Sequence, residues 1–190
     1  MFNFIKNIIF FLILSLVYFQ SFSQVTKNEE KFITYAAKGD IEKVENFVKK
    51  VVNIDVKNKG RWTALAYASK YGHIEVVMFL IDQGAEVNLT VNTGSTPFQI
   101  AVQHNQMEIA NYLITKDADV NHKDITGMSS LAWASKNGDI KMIEFLIDKG
   151  ADVNSVNINA RSVLDHATSP EVISLLKSYG AKKSNEMLSD

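Results

Sequence analysis

Short apolar stretches alternate with polar breaks along the chain, and the order of these positions repeats every 33 residues. An apolar residue recurs at this spacing, with a hydroxyl residue two positions before it and an alanine three positions after it. The three series are Leu65, Phe98, Leu131 and Leu164; Thr63, Thr96, Ser129 and Ser162; and Ala68, Ala101, Ala134 and Ala167. Self-similarity at a fixed period of this size is typical of repeat proteins, in which each repeat is one supersecondary unit. The pattern therefore predicts a stack of similar units.

Within one unit, the apolar spacing predicts two short helices. Thr63 is a candidate N-cap for the first helix, and Leu65 and Ala68 lie three residues apart on one face of it. Apolar residues at steps of three and four between positions 74 and 81 form the buried stripe of the second helix, which Gly84 ends. One such pair cannot bury its own apolar face, so the units are expected to stack into an elongated, curved solenoid.

The starts and ends of the units carry a more specific signature. The starts lie at residues 63–68, 96–101 and 129–134, and the ends, which close with Ala-x-Val-Asn, lie at residues 84–88, 117–121 and 150–154. Together they resemble the ankyrin repeat, whose units begin Thr-Pro-Leu-His-x-Ala and end Gly-Ala-x-x-Asn. The match departs from the family pattern in that only Pro97 keeps the starting proline and no start keeps its histidine.

The resemblance implies an all-α repeat solenoid of stacked ankyrin helix-turn-helix units with β-hairpin fingers. By register, the repeat domain covers residues 24–181, and a polar C-terminal tail covers residues 182–190. The units are expected at about residues 25–57, 58–90, 91–123, 124–156 and 157–181. The first unit is the weakest match and the last is shortened, so both are expected to cap the stack.

The first 23 residues differ in kind from the rest. A single charge, Lys6, precedes an apolar run over residues 8–19. This run is shorter than the roughly 20 apolar residues of a membrane-spanning helix but fits the roughly 7–15 of a signal peptide. Ser21 and Ser23 supply small residues before a cut, which predicts a signal peptide over residues 1–23 with cleavage after Ser23. An uncleaved membrane anchor is the alternative that this segment leaves open.

The composition argues against several classes of partner and site but does not identify a function. The chain has 190 residues and a net charge of −1, so nothing indicates an electrostatic attraction to nucleic acid or anionic lipid. It contains no cysteine, which excludes disulfides, thiolate metal sites and cysteine nucleophiles. We therefore expect no nucleic-acid partner, no membrane span once the signal peptide is removed, and a monomer when the protein is alone.

No catalytic constellation stands out among the ionisable residues. The histidines are not spaced three or four residues apart, as two ligands on one helix face would be: His73, His104, His122 and His166. Asp165 and His166 are adjacent, but no Gly-x-Ser-x-Gly nucleophile motif exists to use them. His73 occupies the family's central Gly-His position, where a structural hydrogen bond is expected. We expect no enzyme activity, no cofactor and no metal site.

In ankyrin-repeat proteins, partners usually contact the finger tips and the exposed end of the first helix of each unit, which form a concave face. Carried over by register, this implies the following candidate partner-binding residues: Trp62, Lys70, Tyr71, Ser95, Gln103, His104, Met128, Lys136, Asn137 and Arg161. Trp62 is the most telling, because tryptophan, tyrosine and arginine dominate binding hot spots. The alternative, that Trp62 folds onto a neighbouring finger, stays open. Tyr67 and Trp133 are expected to be packing residues.

The sequence thus predicts an exported module, periplasmic or secreted, that binds another protein and has no catalytic role. Neutralising or protecting an enzyme of the cell envelope is the more specific expectation, and it rests on the family resemblance. A bacterial source is indicated by the Lys-, Asn- and Ile-rich composition. Two alternatives stay open: a secreted effector that acts on a host protein, and a protein attached to the envelope by an uncleaved anchor. An enzyme is the least favoured interpretation.

Overall fold

The computed structural model describes residues 27–50 and 53–187 of the chain. The predicted signal peptide and its cleavage site lie outside the described residues. The described part forms short helices, most of them of seven to nine residues. In chain order they are α1 (Lys27–Lys38), α2 (Ile41–Val48), α3 (Ala64–Tyr71), α4 (Ile74–Asp82), α5 (Pro97–Gln103), α6 (Met107–Ile114), α7 (Ser130–Asn137), α8 (Ile140–Asp148), a 3₁₀ turn (Leu164–His166), α9 (Pro170–Ser178) and α10 (Ser184–Met187).

The helices form two rows. The first helices of the units, α1, α3, α5 and α7, contact one another in chain order, and the 3₁₀ turn continues this row after α7. We call it the inner row, and we call the second helices, α2, α4, α6 and α8, the outer row. Contacts between neighbouring outer helices are sparser than contacts between neighbouring inner helices. The stack therefore bends with the inner row on its concave side, as a curved solenoid does.

Side-chain caps fix where the inner-row helices begin. Thr63 and Ser129 accept hydrogen bonds from the backbone N–H groups three residues further on, at 3.1 and 3.2 Å. Thr96 accepts from the Gln99 N–H at 3.2 Å, and the Gln99 side chain accepts in return from the Thr96 N–H. These bonds satisfy backbone donors that have no partner within the helix. The structure thus confirms the N-cap role predicted for Thr63 and shows the same cap in the next two units.

The core lies between the two rows and is built from the repeating apolar positions. The inner-row residues that fill it are at most 2% exposed: Phe32, Leu65, Phe98, Leu131 and Leu164. The alanines one turn later, Ala68, Ala101 and Ala134, are at most 1% exposed, and their small size lets neighbouring helices approach closely. From the outer row, Leu80, Leu113 and Leu146 are fully buried. The 33-residue apolar register and the observed core therefore coincide.

A tight turn precedes each inner-row helix from α3 onward and also precedes the 3₁₀ turn. We call residues 58–62, 91–95, 124–128 and 157–161 the junction turns. Each is closed by a bond from the first N–H to the fifth carbonyl, at 3.0–3.1 Å, and neighbouring turns are joined by backbone bonds such as Ile125 N–H to Thr93 O (3.1 Å). The described residues contain two isolated antiparallel bridges, Lys123 with Ser129 and Val156 with Ser162, and no β-strand. The junction turns lie where hairpin fingers were predicted, but they do not form the paired strands of a β-hairpin.

Asparagine side chains tie the other edge of the stack together. Asn88 donates from Nδ2 to the Asp117 carbonyl (3.0 Å) and accepts at Oδ1 from the Asp119 N–H (3.1 Å). Asn121 and Asn154 make the same two bonds to the units that follow them. We call this series the asparagine ladder. Because each amide spans two units with one donor and one acceptor, it satisfies backbone groups of the following unit.

The last unit is shorter than the others. The 3₁₀ turn replaces a full first helix, and α9 begins at Pro170 as its second helix. The segment predicted as a polar tail includes the single helical turn α10, whose Ser184 N–H donates to Asp165 Oδ2 at 3.1 Å. Within residues 27–50 and 53–187, no helix has the length and apolar content that crossing a bilayer requires.

Candidate functional site

The predicted binding residues lie on one side of the stack but differ in exposure. The exposed ones are at the last turns of the inner-row helices and at the final junction turn: Tyr71, His104, Lys136, Asn137 and Arg161. Trp62, Lys70 and Gln103 are half-buried. The structure contradicts the expectation for Ser95 and Met128, whose side chains are only 2% and 5% exposed. These two residues are part of the stack and are not available to a partner.

Turn geometry explains why Ser95 and Met128 are buried. Each is the fifth residue of its junction turn, where the chain bends inward to start the next helix. The Ser95 hydroxyl accepts from Thr93 Oγ1 at 3.0 Å. The Met128 carbonyl accepts from the Gln99 side chain at 2.9 Å, and its N–H donates to Asp124 Oδ1 at 3.1 Å. Both residues therefore hold the turn in place.

Trp62 is also the fifth residue of its junction turn, and it folds onto the neighbouring turn. Its Nε1 donates to Asn92 Oδ1 at 3.1 Å, and its ring packs against a small buried cluster of Ala66, Val91 and Ile100. Of the two interpretations of Trp62, the structure thus supports the one in which the ring packs within the stack. The ring is half-buried, so part of it still faces solvent.

Trp62 belongs to an aromatic cluster that continues along α3. The centroids of Trp62 and Tyr67 are 4.9 Å apart, and those of Tyr67 and Tyr71 are 6.2 Å apart with an interplanar angle of 8°. The Lys70 Nζ lies 5.4 Å from the Trp62 ring and 5.2 Å from the Tyr71 ring, both within cation–π range. Tyr71 is half-exposed (50%), so the cluster presents an aromatic surface next to a positive charge.

An open groove lies beside the aromatic cluster, between α1 and the first junction turn. Its volume is about 410 Å³, within the range typical of small ligand sites. The lining residues are Glu30, Ile33, Thr34, Ala37, Asn58, Lys59, Gly60 and Tyr67. Tyr67 is shared with the aromatic cluster and accepts a hydrogen bond from Asn58 Nδ2 at 3.2 Å. The groove was not predicted from the sequence. The signal available there was that Thr34 and Tyr67, which both line the groove, lie one 33-residue period apart.

A similar lysine–aromatic pair occurs two units further along. The Lys136 Nζ lies 4.7 Å from the Trp133 ring, and Trp133 Nε1 donates to Asp124 Oδ2 at 2.9 Å. Asp124 is buried, and its other oxygen accepts from the Thr126 and Met128 N–H groups. Trp133 therefore holds its junction turn against the helix, as Tyr67 does with Asn58, and both residues pack as expected.

Charge is divided between the two sides of the stack. The junction turns together with α3, α5 and α7 carry five basic residues: Lys59, Arg61, Lys70, Lys136 and Arg161. Their acidic residue, Asp124, is buried and hydrogen-bonded. The outer helices α4, α6 and α8 carry five acidic residues, Glu75, Asp82, Glu108, Glu144 and Asp148, and one basic residue, Lys141. From α3 to α8, the inner side is therefore positive and the outer side negative.

The pKa values of two histidines are lowered on the positive side of the stack. Burial lowers the pKa of His104, and the nearby Lys70 ammonium lowers it further. Burial also lowers the pKa of His166, with additional lowering from Arg161 and Lys136. Both effects disfavour the protonated imidazole, because a positive charge is less stable when it is partly buried or close to other positive charges. The smaller, electrostatic part of both shifts comes from the basic residues of the concave side.

The side chains of the adjacent Asp165 and His166 bond to different partners. Asp165 Oδ2 accepts from the Ser162 N–H at 2.9 Å and from the Ser184 N–H at 3.1 Å. The His166 Nε2 instead lies 3.2 Å from Asn157 Nδ2. His73 likewise has a structural contact, with its Nε2 3.1 Å from the Ala37 carbonyl. Across the part of the chain that the structure describes, no group of three histidine or acidic residues is arranged to hold a metal ion.

Two family models match the chain. A model described as ankyrin repeats (3 copies) matches residues 32–124, and one described as ankyrin repeats (many copies) matches residues 131–176. Together they cover well over half of the chain. Repeats of this family are generally non-catalytic modules for protein–protein interaction.

Individual proteins are similar over a shorter stretch. The chain is 32% identical to ankyrin repeat domain-containing protein 40 of Mus musculus over 75 residues, which are 39% of this chain and 21% of that protein. It is 34% identical to the NAD-capped RNA hydrolase NUDT12 of Homo sapiens over 73 residues, 38% of this chain and 16% of the hydrolase. It is 33% identical to protein phosphatase 1 regulatory subunit 27 of Mus musculus over 75 residues, 39% of this chain and 49% of the subunit.

The matched stretch thus spans less than half of each of these relatives. What the relatives share with this chain is the repeat itself. The 33-residue register, the stacked pairs of helices and the two family matches show that the chain belongs to the ankyrin-repeat family.

Proposed function

We propose that this protein is an exported, non-catalytic module that binds a partner protein through its concave face. We define the concave face as the exposed parts of the junction turns and the last turns of the inner-row helices. The observation that carries the proposal is the aromatic cluster of Trp62, Tyr67 and Tyr71 with the Lys70 ammonium between two of its rings. Rigid aromatic side chains beside a cation are typical of binding hot spots.

The groove beside the cluster supports the same proposal. It is open and about 410 Å³ in volume, and its walls combine the apolar side chains of Ile33 and Ala37 with polar groups from the first junction turn. A segment of a partner that enters the groove would contact Tyr67 and extend toward Tyr71. Such a surface would bury apolar area at its centre and keep charged groups at its rim, which is the usual anatomy of a protein interface.

Export is proposed from the sequence of the first 23 residues alone. The single positive charge, the short apolar run and the small residues at positions 21 and 23 are the features that support it. N-terminal sequencing of the protein recovered from the periplasm or the medium tests this part. We expect a chain that begins at Gln24; a chain that keeps its apolar run and stays with membranes would show an uncleaved anchor instead.

The binding proposal is tested by affinity capture with two matched tyrosine variants. Tyr71 lies on the concave face and Tyr179 follows α9, and they are 50% and 47% exposed. We expect a partner from envelope extract to be retained by the wild type and by Tyr179→Ala, and to be released by Tyr71→Ala. Equal retention by both variants would place the binding surface elsewhere. Circular dichroism should show the same helix content for all three proteins.

The identity of the captured partner distinguishes between the specific roles that the protein could have. An enzyme of the envelope that loses activity, or gains stability, when this protein binds with one-to-one stoichiometry would support a neutralising or protecting role. A host protein as the partner, with this protein recovered from culture medium, would support the effector alternative.

A further inference from the structure

Two lysines on the concave face are held in place by aromatic rings. Lys70 and Lys136 occupy the same repeat position, two units apart, at the last turns of α3 and α7. The Lys70 Nζ lies over the Trp62 and Tyr71 rings (5.4 and 5.2 Å), and the Lys136 Nζ lies over the Trp133 ring (4.7 Å). Contacts of this kind restrict a flexible side chain, so less conformational entropy is lost when the ammonium group binds a ligand.

Neither ammonium group is neutralised within the described residues. The ion pairs found there join Lys43 with Asp40, Lys116 with Asp82, and Lys149 with Asp148, all away from the concave face. Lys70 lowers the pKa of His104 in addition to the effect of burial, and Lys136 contributes in the same way at His166. The two lysines therefore present positive charge that is positioned but has no carboxylate partner.

The spacing of the two lysines limits what can reach both. The helices α3, α5 and α7 are consecutive neighbours in the inner row, and packed helices lie about 8–10 Å apart. The two helices that carry the lysines are therefore roughly 16–20 Å apart. At the same position in the unit between them, α5 ends with the uncharged Gln103. An extended chain rises about 3.3 Å per residue, and residues an even number apart face the same side, so about six residues span this distance.

We propose that Lys70 and Lys136 bind two carboxylates of an extended acidic segment of the partner, with the two acidic residues six positions apart. This inference rests on the proposed function, because it names the chemistry of the segment that the concave face would receive. The uncharged Gln103, on the helix between the two lysines, and Asn137, next to Lys136, would offer hydrogen bonds to the polar groups of the segment. The acidic outer helices would repel the same segment, so the segment would bind to the concave face and not to the outer side.

The charge spacing favours an acidic protein segment over a nucleic acid. A phosphate backbone presents a charge every few ångströms, whereas α3, α5 and α7 offer two lysines over three helices. Proteins that hold single-stranded nucleic acid without sequence preference use a continuous positive groove with several stacking rings. Here the middle helix contributes neither a lysine nor an exposed aromatic residue, since its sequence is Pro-Phe-Gln-Ile-Ala-Val-Gln and Phe98 is fully buried.

The test is selection of peptides on the full chain from a random 12-residue library displayed on yeast. We expect the enriched peptides to carry pairs of Asp or Glu six positions apart more often than the unselected library. The tightest of these peptides should bind Lys70→Gln/Lys136→Gln at least about tenfold more weakly, because each lost pair is a charge-assisted hydrogen bond. The control variant Lys141→Gln/Lys177→Gln makes the same charge change on the outer side and should bind within about twofold of wild type.

A charge-conserving variant, Lys70→Arg/Lys136→Arg, should retain most of the binding. The variant Lys70→Gln/Lys136→Gln should have the same thermal unfolding midpoint as the wild type. Enriched peptides that bind the concave face without acidic pairs, shown by loss on Tyr71→Ala, would overturn the carboxylate inference and leave the proposed function standing. No enrichment on the wild type would contradict both. Equal losses in the two glutamine variants, or tighter binding of a 20-nucleotide single-stranded DNA than of the best peptide, would also overturn the inference.

Discussion

At the start of the asparagine ladder, Asp55 occupies the position that Asn88, Asn121 and Asn154 hold in later units. Its two oxygens accept from the Glu86 N–H at 3.1 and 3.3 Å. Burial raises the pKa of Asp55, and the hydrogen bond from the Glu86 N–H only partly opposes this effect. An ionised carboxylate has no donor, so it cannot make the second bond by which Asn88 reaches the Asp117 carbonyl.

Replacing Asp55 by asparagine should stabilise the fold at neutral pH. We expect Asp55→Asn to raise the free energy of unfolding by about 0.5–1 kcal/mol, the low end for a hydrogen bond because the site is only half-buried. An acid whose pKa is raised on folding is favourable below its unfolded pKa and costs stability as pH rises through the folded value. The gain should therefore be largest at pH 7 and fall toward pH 3.5. Urea unfolding at both pH values measures this, and the reverse change Asn121→Asp should be destabilising at pH 7.

Asp165 shows the opposite shift. Burial alone would raise its pKa, but hydrogen bonds from Ser162 and Ser184 hold the pKa at about 2. An acid whose pKa is lowered on folding contributes stability above its unfolded pKa and loses it as pH falls toward the folded value. We expect Asp165→Asn to lower the free energy of unfolding at pH 7 by up to about 1 kcal/mol after allowance for solvent screening.

The loss should shrink between pH 4 and pH 2, where wild-type Asp165 becomes protonated. Chemical unfolding of the wild type and the variant across this range is the measurement. Asp148→Asn is a suitable control, because the Asp148 side chain is 73% exposed and contacts only the neighbouring Lys149 in the described ion pairs. A constant difference between wild type and Asp165→Asn at all pH values would show that ionisation of Asp165 does not contribute.

At the scale of single elements, the junction turns leave less space for an added side chain than the ends of the outer helices do. Gly127 has φ of +75°, and a Cβ there would lie 2.6 Å from the Ile158 N of the next turn. Gly150 follows α8 with φ of +87°, and a Cβ there would have no neighbour within 4 Å. Both positions favour glycine because of their left-handed backbone, but only the junction turn adds a steric limit set by its neighbour.

The pair Gly127→Ala and Gly150→Ala separates these two costs. We expect Gly150→Ala to cost about 1 kcal/mol, the penalty of a left-handed backbone for an L-residue. Gly127→Ala should cost about 2–3 kcal/mol more, because the contact is with backbone that cannot move without breaking the bond between neighbouring turns. Guanidinium unfolding of the two variants tests this. Similar losses would mean that neighbouring junction turns can separate without affecting the rest of the stack.

The elements were predictable from the sequence because their determinants repeat. Hydroxyl caps and the apolar residues that follow them recur at one spacing, and this register alone locates the helices and the core. The exposure of the fifth junction residue was not predictable in the same way. Trp62, Ser95 and Met128 share that position, yet Trp62 bonds to Asn92 of the next turn, Ser95 to Thr93 of its own turn, and Met128 to Gln99 of α5. The groove was missed because it is formed between α1 and a junction turn, which no single repeat contains.

On the scale of the whole molecule, the division of charge makes binding sensitive to solution conditions. The pKa of His104 is lowered by burial and by Lys70, so His104 gains its proton at a lower pH than an unperturbed histidine does. Its protonation adds charge to a face that already carries Lys70 and Lys136. Surface charges of this kind act over about 10 Å at 0.1 M salt and less at higher salt.

We therefore expect an acidic partner to bind more tightly as pH falls below 7, by up to roughly threefold once His104 carries its added charge near the site. The expected change should be smaller in His104→Asn and should diminish as salt is raised to 1 M. Fluorescence anisotropy with the best acidic peptide from the selection measures all of these conditions. A binding constant that does not vary with pH would show that His104 lies outside the electrostatic reach of the bound segment.

The asparagine ladder also has a consequence for how such a chain can change in length. Every amide uses the same two backbone atoms of the unit that follows, and the last one, Asn154, uses the Gly180 carbonyl and the Lys182 N–H in the same way. A duplicated segment of one period would therefore meet bonding partners at both of its borders without any compensating substitution. Gain or loss of whole units would move Lys70 and Lys136 apart or together in steps of one helix spacing. The separation between two ligand contacts is thus a heritable quantity that duplication can adjust while the sequence of each contact stays the same.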